Sequence, residues 1–248
     1  SHGAELGCTI ITAKNMLKAG VTSGFVEAAT ESIYGGCRVE EQGGRPGGYT
    51  DGAYGAAAAK FVREFGVIYR KDYSQQTGNP EHDMRDYDGK KAKEWGNFGC
   101  GGQRDKGVLD KVARDMPIKT TTQVAGFEDI AAAIAGSKCP VTIASNYGTD
   151  MKRDANGFCK WNDSWPHQMC LIAARFGARP GCLCAQSWGM NVSSGPHFPE
   201  TMPANIRGFT WWIPAEDIDK LAKTADCHAI GDIDGWKIDE FDWNDLWN

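Results

Sequence analysis

One short stretch of this chain holds three side-chain types that together could perform acyl chemistry. His167 opens an apolar segment, Met169-Cys170-Leu171-Ile172-Ala173-Ala174, and a second segment, Gly181-Cys182-Leu183-Cys184-Ala185, runs into Gln186-Ser187-Trp188-Gly189. An imidazole takes and returns a proton near neutral pH more readily than any other side chain. A side-chain amide on a neighbouring strand can orient that ring, and an indole beside it can shield the pair from water. A base of this kind serves a nucleophile, and thiol chemistry needs a cysteine whose proton the imidazole withdraws.

The nine cysteines stand at positions 8, 37, 100, 139, 159, 170, 182, 184 and 227. Their number is odd, so at least one thiol stays free or pairs with another molecule if the rest form bridges. Cys8 is the in-chain candidate nucleophile, because a helix N-terminus at Gly7 would lower its pKa. Against that, the apolar period Leu6, Ile10, Ala13, Leu17 runs straight through it. That pattern puts Cys8 in mid-helix, where cysteine usually serves as a small buried hydrophobe. No Cys-x-x-Cys occurs and the five histidines are not at ligand spacing, so neither a metal nor a cofactor is expected.

The 248 residues can bury a real core, and the composition, 41% hydrophobic and 24% charged, is that of a globular chain. A net charge of −5 and scattered basic residues leave no electrostatic footprint for nucleic acid. The best apolar run, 130–135, falls far short of the roughly 20 residues of a membrane span. The start, Ser1-His2-Gly3-Ala4-Glu5, has no basic region followed by an apolar one, and it reads as the interior of a helix from which an upstream segment is missing.

Positioning these groups requires two kinds of element. Helices are expected over 4–18, 26–34 and 51–65, with a glycine-rich loop between the last two and a short strand at 67–69. Residues 74–107 are polar and rich in Gly and Asp, which predicts long surface loops. Strands are expected over 120–124, 141–145, from His167, from Gly181 and over 209–213, with helices at 127–135 and 215–223. Helices first and strands later is the α+β pattern. The expected division is a helical lobe at 1–116, a β lobe at 117–223 and an acidic, tryptophan-rich tail at 224–248.

The order of these motifs resembles the papain-like cysteine peptidases. Gln186-Ser187-Trp188-Gly189 is similar to that family's Asn-Ser-Trp-Gly, with glutamine in place of asparagine. Gly47-Gly48-Tyr49, the helix after it and Gly66-Val67-Ile68-Tyr69 resemble its substrate loop, helix and turn. Pro140-Val141-Thr142-Ile143-Ala144 resembles the strand before its histidine. The resemblance spans about 1–223 and implies a helical lobe, an antiparallel β-barrel-like lobe and a site in the cleft between them. It implies His167 as catalytic base, Gln186 as its orienting partner and Trp188 as its cover. It also implies substrate contacts from Gly47, Gly48 and Tyr49, a disulfide between Cys37 and Cys100, and a peptide or protein as substrate.

In that family the nucleophilic cysteine begins the central helix. Ser1-His2-Gly3-Ala4 is similar to the end of the Cys-Val-Gly-His-Ala string of its bacterial and viral branch. That likeness puts the nucleophile about two positions before Ser1, and leaves Cys8 as its rival. The expected activity is thiol-dependent peptide hydrolysis, with the missing segment or an assembly partner completing the site. The alternative is an inactive papain-like component of a larger, viral assembly. The expected setting is accordingly soluble and either secreted or virion-associated.

Overall fold

The structure, a computed structural model, describes residues 1–44, 52–104, 107–162, 166–223 and 226–232. Helix α1 (His2–Lys18) crosses the middle of the molecule. The apolar stripe at 6, 10, 13 and 17 is not its inward face. The buried residues are Gly3, Ala4, Gly7, Cys8, Ile11 and Asn15 among others, while Leu17 is 45% exposed. Size explains the reversal. A Cβ on Gly3 would fall on the Met169 carbonyl, and one on Gly7 would stand 3.0 Å from Ile230 Cγ1. The helix therefore lies against the sheet through its smallest residues, closer than larger side chains would allow.

Around α1 stand α2 (Thr30–Gly36), which runs on as a π-helical segment over Cys37–Glu41, and α3 (Gly55–Glu64). Residues 67–69 form no strand and supply only an antiparallel bridge between Ala28 and Tyr69. The stretch expected as surface loops holds α4 (Ser74–Thr77) and α5 (Gly89–Phe98). Asp88 caps α5, its Oδ1 accepting from the Lys90 and Lys91 amides at 2.8 and 3.2 Å. Trp95 anchors the helix as a 1% exposed member of the helical core. Helix α6 (Val108–Ala113) ends this half.

The second half contains β1 (Thr121–Gln123), α7 (Gly126–Ala131), β2 (Val141–Ser145), β3 (His167–Arg175) and β4 (Gly181–Ala185). It continues with α8 (Ala204–Arg207), β5 (Thr210–Pro214), α9 (Ala215–Ala222) and β6 (Asp226–Ile230). The strands form one antiparallel sheet in the order β1-β6-β2-β3-β4-β5. Strand β6 falls in the stretch read from sequence as a tail, yet it is paired on both edges, by β1 and β2. Residues 233–248 of that stretch lie outside the described residues.

Two large hydrophobic cores result among the described residues, beside a small third cluster of Phe158, Leu183 and Trp212. One gathers Ile11, Ile33, Phe61 and Trp95 between the helices, the other Ile143, Leu171, Trp211 and Ile213 under the sheet. This is the α+β architecture of a helical lobe and an antiparallel β lobe. All nine cysteines are free thiols, including Cys37 and Cys100, which the family resemblance would pair. Among the described residues no helix is long and apolar enough to cross a membrane.

Candidate active site

Sheet register brings the histidine to the edge of the cleft. Ser145, the last residue of β2, pairs with His167, the first of β3, so both strand ends open at the same place. The start of α1 is tied to β3 by the Ala4 amide, which donates to Gln168 Oε1 at 3.3 Å. Ser1 and His2 therefore line the same cleft as His167, a space of about 590 Å³. Its other wall includes Tyr54, Gly55, Ala144 and Asp226. Asp226 Oδ2 accepts from the Ala56 amide at 3.2 Å and holds α3 to β6. A Cβ on Gly55 would lie 2.6 Å from Ala144 Cβ and 2.8 Å from Asp226 Cβ, so this close approach needs glycine.

Gly47, Gly48 and Tyr49, expected to contact substrate, lie outside the described residues. The described wall is instead Gly52-Ala53-Tyr54, immediately before α3, with Gly55, the first residue of that helix. The sequence carries this second glycine–tyrosine pattern. It is hidden when the helix is started at Asp51, four residues before its true beginning.

Burial pushes the His167 imidazole down to about 4, and the neighbouring His2 adds to the effect. His2 is pushed to about 4 as well, again mainly by burial. Both rings are thus neutral at pH 7, as a base awaiting a proton must be. The sequence offered His2 only as part of the opening string; its place at the start of α1 is what brings it into the cleft. The N-terminus of a 17-residue helix also carries partial positive charge, which favours a thiolate or an oxyanion nearby.

Trp188 lies on His167, ring centres 4.2 Å apart and planes inclined by 26°. Gln186 does not reach the imidazole. Its Oε1 accepts from the Trp188 backbone amide, and its Nε2 donates to the Gly189 carbonyl at 3.0 Å. Cys8 is not brought to the cleft. It is fully buried in mid-helix, its thiol pushed well above the ordinary range by burial and the nearby Glu5. No cysteine is among the described residues lining the cleft. Eight of the nine are buried and Cys139 is half-buried. Among the described residues no group of three or more His, Cys, Asp or Glu could hold a metal ion.

No protein-family model matches the chain, and no curated protein sequence matches it. Among solved structures, xylellain, a cysteine protease from Xylella fastidiosa, aligns over 92% of this chain and 79% of its own length. The TM-score is 0.54 at 17% identity. A structure solved to explain the limited antibody cross-reactivity between the mite allergens Blo t 1 and Der p 1 aligns over 92% of this chain. It is covered over 64% of its own length, with a TM-score of 0.47 and 14% identity. The likeness to xylellain shows the fold, which is papain-like.

Proposed function

We propose that this chain carries the histidine side of a papain-like thiol peptidase acting on peptide or protein substrates, with a nucleophilic cysteine that precedes Ser1 in the intact protein. The observation that carries the reading is the placement of His167 at a cleft shared with the N-terminus of α1. A thiolate at that helix end attacks the peptide carbonyl. His167 takes the thiol proton and delivers it to the leaving amine, and water then hydrolyses the acyl-enzyme. Gly47 and Gly48 hold the substrate backbone in an extended pose, with Tyr49 beside them. A second cleft of about 350 Å³, bordered by Ser1, His2, Tyr34 and Tyr87, leaves room for an upstream segment to enter.

A second reading has one observation in its favour: among the described residues, none that lines the cleft is a cysteine. In it the chain binds peptides without cleaving them. Turnover of fluorogenic peptides by the intact protein, compared with its His167→Ala variant, separates the two. Turnover that disappears in the variant supports the peptidase. Equal turnover in both overturns the role of His167, and peptide binding without turnover establishes the second reading.

A further inference from the structure

The turn after β4 is organised by one side chain. Gln186 is 6% exposed, and its own amide donates to the Phe209 carbonyl at 3.2 Å, which fixes its root beside β5. From there the carboxamide closes on its own loop: Oε1 takes the Trp188 N–H and Nε2 gives to the Gly189 carbonyl. Gly189 has φ +97°, in the region that favours glycine, which turns its carbonyl back towards Gln186. Length matters here. Two methylenes let one amide span both the N–H two residues on and the C=O three residues on. Asparagine closes the smaller ring to the N–H two residues on.

The loop so fixed delivers the indole. Trp188 is 46% exposed overall, yet it lies almost parallel to the His167 ring at 4.2 Å. The imidazole is thereby confined on one face by an aromatic plane whose backbone is pinned by Gln186. We infer that Gln186 is a positioning residue that acts on His167 through Trp188, by clamping the turn that lays the indole on the imidazole, and not by a hydrogen bond to the ring. For catalysis this rests on the proposed role of His167 as base; the geometry itself can be tested without turnover.

The test is the ring-current displacement of the His167 imidazole protons by NMR in wild type, Gln186→Leu, Trp188→Leu and the double variant. Trp188→Leu is expected to abolish the displacement and Gln186→Leu to reduce it. Gln186→Leu is expected to change nothing further once Trp188 is leucine. Gln186→Asn, which keeps an amide for the Trp188 N–H, is expected to fall between wild type and Gln186→Leu, and it serves if the leucine variant does not fold. A His167 resonance altered by Gln186→Leu in the Trp188→Leu background requires direct contact and overturns the inference. A wild-type resonance in Gln186→Leu overturns it as well.

Where the intact protein turns over peptide, kcat should fall roughly tenfold to hundredfold in either single variant, with KM unchanged and no further loss in the double. If the resonances behave as expected but the protein has no turnover, the positioning stands and the peptidase reading falls.

Discussion

His2 and Cys8 stand on the same helix, about 9 Å apart along its axis at 1.5 Å per residue, one lining the cleft and the other sealed in the core. A helix cannot present both to one substrate. Cys8 is enclosed beside Cys170 and Glu5, and its thiol stays protonated at neutral pH. Among the cysteines of this chain, Cys139 is expected to react first with iodoacetamide under native conditions and Cys8 only after unfolding, as read by peptide mapping. Cys8→Ala is expected to lower stability by about 1 kcal/mol and to leave any turnover intact. Loss of turnover with an unchanged melting temperature would restore Cys8 as nucleophile.

The approach of α1 to β3 depends on Gly3. A methyl group there would fall on the Met169 carbonyl, so the helix must move away from the strand that begins with His167. Gly3→Ala is expected to destabilise the fold by about 1–3 kcal/mol, even though alanine is the better helix former. Chemical denaturation measures it. A stabilised Gly3→Ala would mean that the helix does not pack so closely.

Three half-buried groups near the helix start pull stability in opposite directions with pH. Burial holds the Glu5 carboxyl at about 7, up from 4.5, with the Glu27 charge adding to the rise and Thr9 and Arg70 opposing it. The folded chain therefore binds more protons at Glu5 than the unfolded chain between pH 4.5 and 7. That contribution is whole below pH 4.5 and is lost as pH rises through 7. His2 and His167 act the other way. Their contribution is whole above 6.5 and is lost as pH falls towards 4. Glu5→Gln keeps an acceptor for the Thr9 hydroxyl and removes the charge. It is expected to raise the melting temperature at pH 8 and to leave it unchanged at pH 4.5. An equal shift at both values would show that Glu5 does not titrate in this range.

Much of the fold was readable because strong local patterns coincide with elements. Strand β2 follows Pro140 as a β-branched run and is found at the expected residues. Helix α5 was not readable, because Gly89-Lys90-Lys91-Ala92-Lys93-Glu94 looks like loop. What makes it a helix is the Asp88 cap and the burial of Trp95, a tertiary effect. Strand β6 was missed because its five residues follow a helix and precede an acidic stretch; its partners β1 and β2 lie about a hundred residues earlier in the chain.

The site divides in the same way. The place of His167 at the head of a strand was legible from the apolar run it opens. The direction of the Gln186 amide was not, since a carboxamide can face a ring or its own turn without any change in sequence. His2 was hidden because its place in the cleft comes from the position of α1 against β3 and not from any pattern around it.

The most direct measurement is the site of covalent capture when the intact protein, with whatever precedes Ser1, meets a thiol-directed peptidyl electrophile. Peptide mapping by mass spectrometry locates the adduct. The account predicts one adduct, on a cysteine upstream of Ser1, absent in the His167→Ala variant. Capture on Cys8 or another cysteine of this chain in place of the upstream one, or capture that survives the loss of His167, would contradict it.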